Sequence, residues 1–465
     1  MKCMYTGNER LCVILNPMLR LATYSIAVWL IGSLLGCNST SLVAKDGADL
    51  DGLEEFSQVS DDGGLAGEEA DHRPESEPTC DPSGLQVVER GLIERDLPSN
   101  DNELAICSKD VWVFVAARGS KLEIKLTAQG YHLLLGAVSY PDDLSWNNKL
   151  VSLSASADQA GVLEFSAPRS GEYFLQIRSI DPELASSYSL ELTCVAGCEL
   201  ETTRFPIVMV HGWTGWDEIG PLEYFYNVPD TLKANGYGVF VASLDPYNSV
   251  EIRSGQLAEQ LEQFLEQGRA RKVNIIGHSQ GCLDARRAIS TLGFGDRVSA
   301  FISFAGPHQG TPIADIGLGL LPGPAEEALA FMLNMIGATG GNESDALASF
   351  QSLTTDYVIN EFNPQNPDDP RVTYISWTGL TCPLGIECGD ICDIEIRWAY
   401  NLIYLEAGDN DGMVPVSSAP WGDFRGTVPA DHFDEIGQVL GITGPNFDHL
   451  EFYKSLARDL AAEGH

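Results

Sequence analysis

Val273-Asn274-Ile275-Ile276-Gly277-His278-Ser279-Gln280-Gly281 is the stretch on which the reading of this chain turns. A short β-favouring apolar run, 273–276, leads into Gly-x-Ser-x-Gly, and a helical stretch follows. That is a nucleophile elbow in its strand–turn–helix setting: the glycines permit a tight, strained turn, and the Ser279 hydroxyl is held out at the carboxyl edge of a sheet. Working outward, 206–210 (PIVMV), 239–244, 298–304, 372–377 and 402–405 read as strands, and 252–267 reads as a helix with Leu257, Leu261 and Leu265 at i+4 spacing. Apolar strands alternating with helices predict an α/β domain over 201–465, a mostly parallel sheet covered on both faces.

The elbow needs two further pieces. Val210-His211-Gly212-Trp213-Thr214-Gly215 follows the strand 206–210. A loop in that place supplies one backbone N–H of an oxyanion hole, and the residue after the nucleophile supplies the other, so Trp213 and Gln280 are the candidate donors. His211 is read as a residue that orders the loop. A serine also needs a base, and the base needs an acid that fixes its tautomer. Gly408-Asp409-Asn410-Asp411-Gly412 and Asp431-His432-Phe433-Asp434 stand in the order nucleophile, acid, histidine, giving Ser279, Asp411 and His432 as catalytic candidates. Asp409 is the rival acid; His308, His449 and His465 are the rival histidines.

The rest of the 465 residues looks exported. Residues 21–35 carry no charge, Arg20 precedes them and Gly36-Cys37 follows. A basic flank, an apolar core and a small residue make a signal peptide over 1–37, too short for a spanning helix. Residues 38–79 hold twelve acids against Lys45 and Arg73, a solvated, self-repelling linker. Residues 80–200 alternate apolar and polar in short runs such as 111–115 (VWVFV), 122–126 (LEIKL) and 188–192 (YSLEL), which predicts an all-β sandwich. Of eleven cysteines, eight follow Cys37; no histidine sits at zinc-ligand spacing beside them, so disulfides are expected in an oxidising compartment, with Cys282 a buried free thiol. Lys+Arg number 28 and Asp+Glu 66, a net charge of −38, which excludes nucleic acid and a polybasic membrane patch as modes of binding.

Three resemblances sharpen these expectations. Leu34-Leu35-Gly36-Cys37 resembles the bacterial lipoprotein box, which implies a lipid anchor at Cys37 and an outer-membrane or extracellular location. Lys109–Phe114, Ala167–Tyr173 and the 188–192 strand resemble the prepeptidase C-terminal domains of secreted bacterial proteins. Residues 204–465 resemble the bacterial triacylglycerol lipases of the Pseudomonas and Burkholderia group, an α/β-hydrolase family. That last match rests on FPIVMVHGWTG at 205–215, VNIIGHSQG at 273–281, GPHQG at 306–310, DALA at 345–348, NDG at 410–412 and HFDEIGQ at 432–438. It implies hydrolysis of carboxylic esters, of long-chain acylglycerols above all, by Ser279, Asp411 and His432, with Trp213 and Gln280 as the oxyanion hole. It also implies one structural Ca²⁺ held by Asp434, the carbonyls of Gln438 and Ile442, and an upstream carboxylate, Asp390 or Asp393, with Asp390 preferred. A membrane-anchored foldase is the family's partner, although a preceding sandwich is a departure that puts it in doubt. The strongly apolar 313–337 reads as a lid over an acyl pocket at a lipid interface. Phospholipase, polyester depolymerase and thioesterase activities use the same parts, and a surface binding module with a vestigial hydrolase half is the reading outside enzymes.

Overall fold

The computed structural model describes residues 2–6, 9–13, 80–81, 84–130, 132–213, 218–219, 222–328, 343–438 and 440–465. Two compact units separate at Glu77/Pro78. In the first, Lys2–Thr6 and Glu9–Val13 pair as an antiparallel hairpin with Cys3 opposite Cys12. The expected apolar export core, the Cys37 box and the acidic linker lie outside the described residues. No helix among the described residues is long and apolar enough to cross a membrane.

The second unit begins with nine strands between Gln86 and Ala196, in one five-stranded and one four-stranded sheet. The pairings are antiparallel except that of Gln86–Leu92 with Ser108–Ala116. Period-two alternation puts Leu122, Ile124 and Leu126 of one sheet with Phe114, Tyr173 and Leu175 of the other in a common buried cluster. Disulfides join Cys80 to Cys107 and Cys194 to Cys198.

The chain then builds a six-stranded, all-parallel sheet in the order Val239–Val241, Ile207–Val210, Val273–His278, Val298–Phe304, Thr373–Gly379, Asp423–Val428. Separate apolar clusters cover its two faces. The two β-sheets dock at the amino ends of these strands, away from the carboxyl edge that carries Ser279. Glu172, 1% exposed, takes Arg204 Nε at 2.8 Å and Arg271 Nε at 2.9 Å, and both arginines sit just upstream of strands.

Two expectations change. Residues 402–405 are not a strand; they lie inside the helix Arg397–Ala407. The apolar run of four resembled a strand, but Ala399, Tyr400 and Ile403 are buried while Leu405 is 78% exposed, which is helical spacing. The strand at that edge is Asp423–Val428 (DFRGTV), whose polar, half-exposed pattern gave no apolar signal. Of the expected lid, Pro312–Gly317 is a buried helix, and 329–337 lie outside the described residues.

Candidate active site

Ser279 sits between the end of Val273–His278 and the start of the helix Gln280–Ile289, with φ 57° and ψ −131°. A left-handed φ at a non-glycine residue is strained backbone, tolerated where the surroundings over-determine it. The close approach of the neighbouring chain accounts for one glycine: a Cβ on Gly281 would stand 2.5 Å from the Val210 carbonyl oxygen. A Cβ on Gly212 would stand 2.5 Å from the Ser279 Cβ, so the 211–213 loop lies directly on the serine.

His432 Nε2 is 3.0 Å from Ser279 Oγ, and His432 Nδ1 is 2.8 Å from Asp411 Oδ2. Met413 and Val414 donate their backbone N–H groups to Asp411 Oδ1 at 2.8 and 2.7 Å, so both carboxylate oxygens are occupied. The rivals fall elsewhere. Asp409 is exposed. His308 is buried against Ser303 Oγ at 2.7 Å; His449 bonds the Tyr226 carbonyl and His465 bonds Ser299.

Trp213 and Gln280 flank the serine, both buried. His211 is buried and accepts the Leu244 N–H at 3.0 Å; burial pushes its imidazole down to about 3, so it is a neutral brace. Arg253 donates Nη2 to the carbonyls of His211 and Gly212 at 2.7 and 3.3 Å, and its Nε pairs with Asp284 at 2.8 Å. Burial raises Asp284 to about 6 against the pull of that guanidinium. The sequence held a sign of this pair: Arg253 falls at i+4 spacing with Leu257, Leu261 and Leu265, a cation on an apolar stripe.

Glu435, inside the HFDEIGQ stretch at 432–438, has a place in the site that the sequence does not signal. It is fully buried, shares a 2.7 Å hydrogen bond with His278 Nε2, accepts the Gly379 N–H at 2.6 Å, and lies 3.5 Å from His432 Nδ1. Desolvation lifts its carboxyl well above the usual range and depresses His278 well below its own, so the two form a neutral pair behind the serine. The cleft in front is apolar, lined by Trp213, Ile313, Phe350, Leu353, Met413, Val414, Phe433 and Ile436 together with Ser279 and His432.

A second cluster lies beside His432. Carboxylate oxygens of Asp390, Asp431 and Asp434 lie within 4.8 Å of one another, all three residues buried. Asp390, 1% exposed, has no hydrogen-bond partner on either oxygen. Asp431 accepts the N–H groups of Phe433 and Asp434 on one oxygen and that of Asp393 on the other. Burial, reinforced by the neighbouring acids, pushes Asp431 up to about 7 and Asp434 up to about 8. Gly444 donates to Asp434 Oδ2 at 2.7 Å, and a Cβ there would stand 2.2 Å from Asp390 Oδ1. Asp390 and Asp434 are thus brought together, with Asp431 as an unforeseen third acid. Asp393 donates its backbone N–H to Asp431 Oδ2 at 2.8 Å. Gln438 and Ile442 lie in the loop between Asp434 and Gly444; Gln438 borders the cleft and the Ile442 side chain is 69% exposed.

Known proteins resemble this chain in sequence. A triacylglycerol lipase of Vibrio cholerae is 33% identical over 285 residues, covering 56% of this chain and 89% of the relative. The chain belongs to the triacylglycerol lipase family. A second lipase of that name, from Pseudomonas fragi, is 31% identical and is covered over 98% of its length, with 56% of this chain aligned. The family model for palmitoyl protein thioesterase matches residues 206–337. Among solved structures, the mature Bacillus licheniformis lipase BlEst2 is 19% identical with a TM-score of 0.44, covering 57% of this chain and 95% of that one.

Proposed function

We propose that the chain is a serine lipase that hydrolyses carboxylic ester bonds of acylglycerols through an acyl-enzyme. The observation that carries this is the unbroken run Ser279 Oγ, His432, Asp411, at 3.0 and 2.8 Å, opening on an apolar cleft. His432 takes the Ser279 proton as the oxygen attacks the ester carbonyl. Negative charge collects on the carbonyl oxygen, opposite the backbone N–H groups of Trp213 and Gln280; such a donor is typically worth ~3 kcal/mol of barrier. Asp411 holds the imidazole in the reactive tautomer and balances its charge. His432 then protonates the leaving alcohol, and water repeats the cycle in reverse. Ser279→Ala is expected to abolish turnover of p-nitrophenyl esters and emulsified triacylglycerol while leaving the melting temperature in place; residual turnover at the parent rate would refute the reading. Thioester hydrolysis is the second reading, favoured by the match over 206–337. A panel of oxygen esters and acyl thioesters of equal chain length separates the two.

The acid cluster fits a divalent cation, and Ca²⁺ suits an all-oxygen donor set. Asp390 and Asp434 would hold it, with Asp431 adjoining and the carbonyls of Gln438 and Ile442 as the remaining expected ligands. Its chemistry there would be structural: neutralising buried carboxylates and fixing the loop that carries His432. The two N-terminal sheets are read as an accessory β-sandwich, and the segment before them as an export signal, with a lipid anchor at Cys37, and an acidic spacer. The foldase remains a proposal of the resemblance alone.

A further inference from the structure

We infer that Ser349 is a positioning residue for the oxyanion hole, acting through the side chain of Gln280. This rests on the proposed lipase mechanism and adds a residue to it. Gln280 is fully buried, and its side-chain amide is anchored at both ends. Nε2 donates to the Asn248 carbonyl at 2.9 Å, and Oε1 accepts from Ser349 Oγ at 2.7 Å. Ser349, itself fully buried, belongs to the helix Glu343–Gln351, more than sixty residues from the elbow in sequence. The next residue, Phe350, sets its ring 4.9 Å from that of Trp213, the other donor residue. Two consecutive residues of one helix therefore touch the side chains of both residues whose N–H groups the proposed mechanism uses to hold the oxyanion.

The Gln280 N–H is aimed by the first turn of its helix and by the strained Ser279 before it. An N–H contributes only within a narrow distance of the place where the oxyanion forms. With the Ser349 hydroxyl gone, Gln280 Oε1 becomes a buried acceptor without a donor, and the side chain relieves this by turning, which drags the backbone with it. The carbonyl gains its charge only on the way to the tetrahedral state, so the loss falls on kcat and not on KM.

The experiment compares the full chain with Ser349→Ala and Ser349→Thr on a soluble ester, with active sites counted by a phosphonate and the melting temperature recorded. Ser349→Ala is expected to lower kcat per active site about tenfold with KM within about twofold. An alkyl boronic acid, which forms a tetrahedral adduct on the serine, is expected to weaken by the same factor. Ser349→Thr, which keeps the hydroxyl, recovers most of the loss. An unchanged kcat and boronate affinity in Ser349→Ala overturn the inference. So does a loss accounted for by fewer titratable sites or a lower melting temperature, because that is a packing effect. If the parent chain itself takes up neither phosphonate nor boronate, the lipase mechanism falls, and this inference with it.

Discussion

His432 stands between two carboxylate sites of opposite character. On one side Asp411 has every oxygen occupied by the imidazole and two backbone N–H groups. On the other, Asp390 is as deeply buried and neither of its carboxylate oxygens is hydrogen-bonded, with Asp431 and Asp434 crowding it. The first site is complete as protein. The second is a set of crowded buried acids whose carboxyls burial lifts above the usual range, and a buried acid must be paired, protonated or bound to a metal. The contrast separates residues that do chemistry from residues that hold the chemistry in place.

The sharpest way to break that separation is to neutralise one acid on each side. Asp411→Asn is expected to cut kcat on the order of 10⁴-fold with little change in melting temperature, since it spoils the tautomer. Asp434→Asn should act mainly on stability and leave most of kcat in the folded fraction. Equal kcat losses from the two variants would erase the distinction.

Calcium gives the next largest effect. A ligand at a hundredfold excess over its Kd stabilises the fold by about 2.7 kcal/mol. Chelation of the parent chain should lower its melting temperature by several degrees, read by scanning calorimetry, and added Ca²⁺ should restore it. Asp390→Asn should show the reverse pattern: more stable than the parent in chelator, because an unpaired buried charge is gone, and unresponsive to Ca²⁺. An Asp390→Asn variant that still responds fully would move the cation elsewhere.

The same acids set a pH dependence. With folded-state values raised to about 7 for Asp431 and about 8 for Asp434, the metal-free fold keeps protons that the unfolded chain sheds near the ordinary carboxylate value. Their contribution to stability is full below about pH 4 and is lost as the pH rises through 7 and 8. Melting temperatures in chelator should fall between pH 5 and pH 8, and Asp431→Asn should flatten that fall. Ca²⁺, which binds the deprotonated oxygens, should flatten it too.

The smallest expected effect lies at the surface of the two sites. Val414 and Ala419, following Asp411, are buried, whereas the disulfide-closed Cys382–Cys388 loop beside Asp390 exposes Leu384 at 74% and Ile386 at 83%. The segment that follows the loop, at Cys392 and Ile396, packs on Met413 and Phe433 of the cleft wall. Seating one such side chain in lipid is worth about 1.5–3 kcal/mol. Ile386→Asp should therefore weaken adsorption to a triacylglycerol emulsion roughly tenfold and leave the rate on a water-soluble ester unchanged. Equal adsorption by parent and variant would remove the loop from the interface.

The two sites also differ in how far they were legible in the sequence. Ser279 was plain because Gly-x-Ser-x-Gly between a strand and a helix is a local pattern, and Asp411 and His432 followed from order along the chain. Glu435, Arg253 and Ser349 were not, because their roles come from segments that meet only in the folded chain: Glu435 with His278, Arg253 with the 211–212 carbonyls, Ser349 with Gln280. Asp390 is singled out only by family resemblance, and Asp431 carries no signal in the sequence that sets it apart from its acidic neighbours. The sheet was read correctly where its strands are apolar and central. It failed at the edge, where Asp423–Val428 is polar and the helix Arg397–Ala407 carries an exposed Tyr404-Leu405 that completes a strand-like run.

The most direct test of the account is labelling with a long-chain alkyl phosphonate ester, followed by mass spectrometry of the digested protein. One phosphonyl group per chain, on Ser279, with no incorporation in His432→Ala, is the predicted result. An unlabelled parent chain, or a label on any other residue, would contradict it.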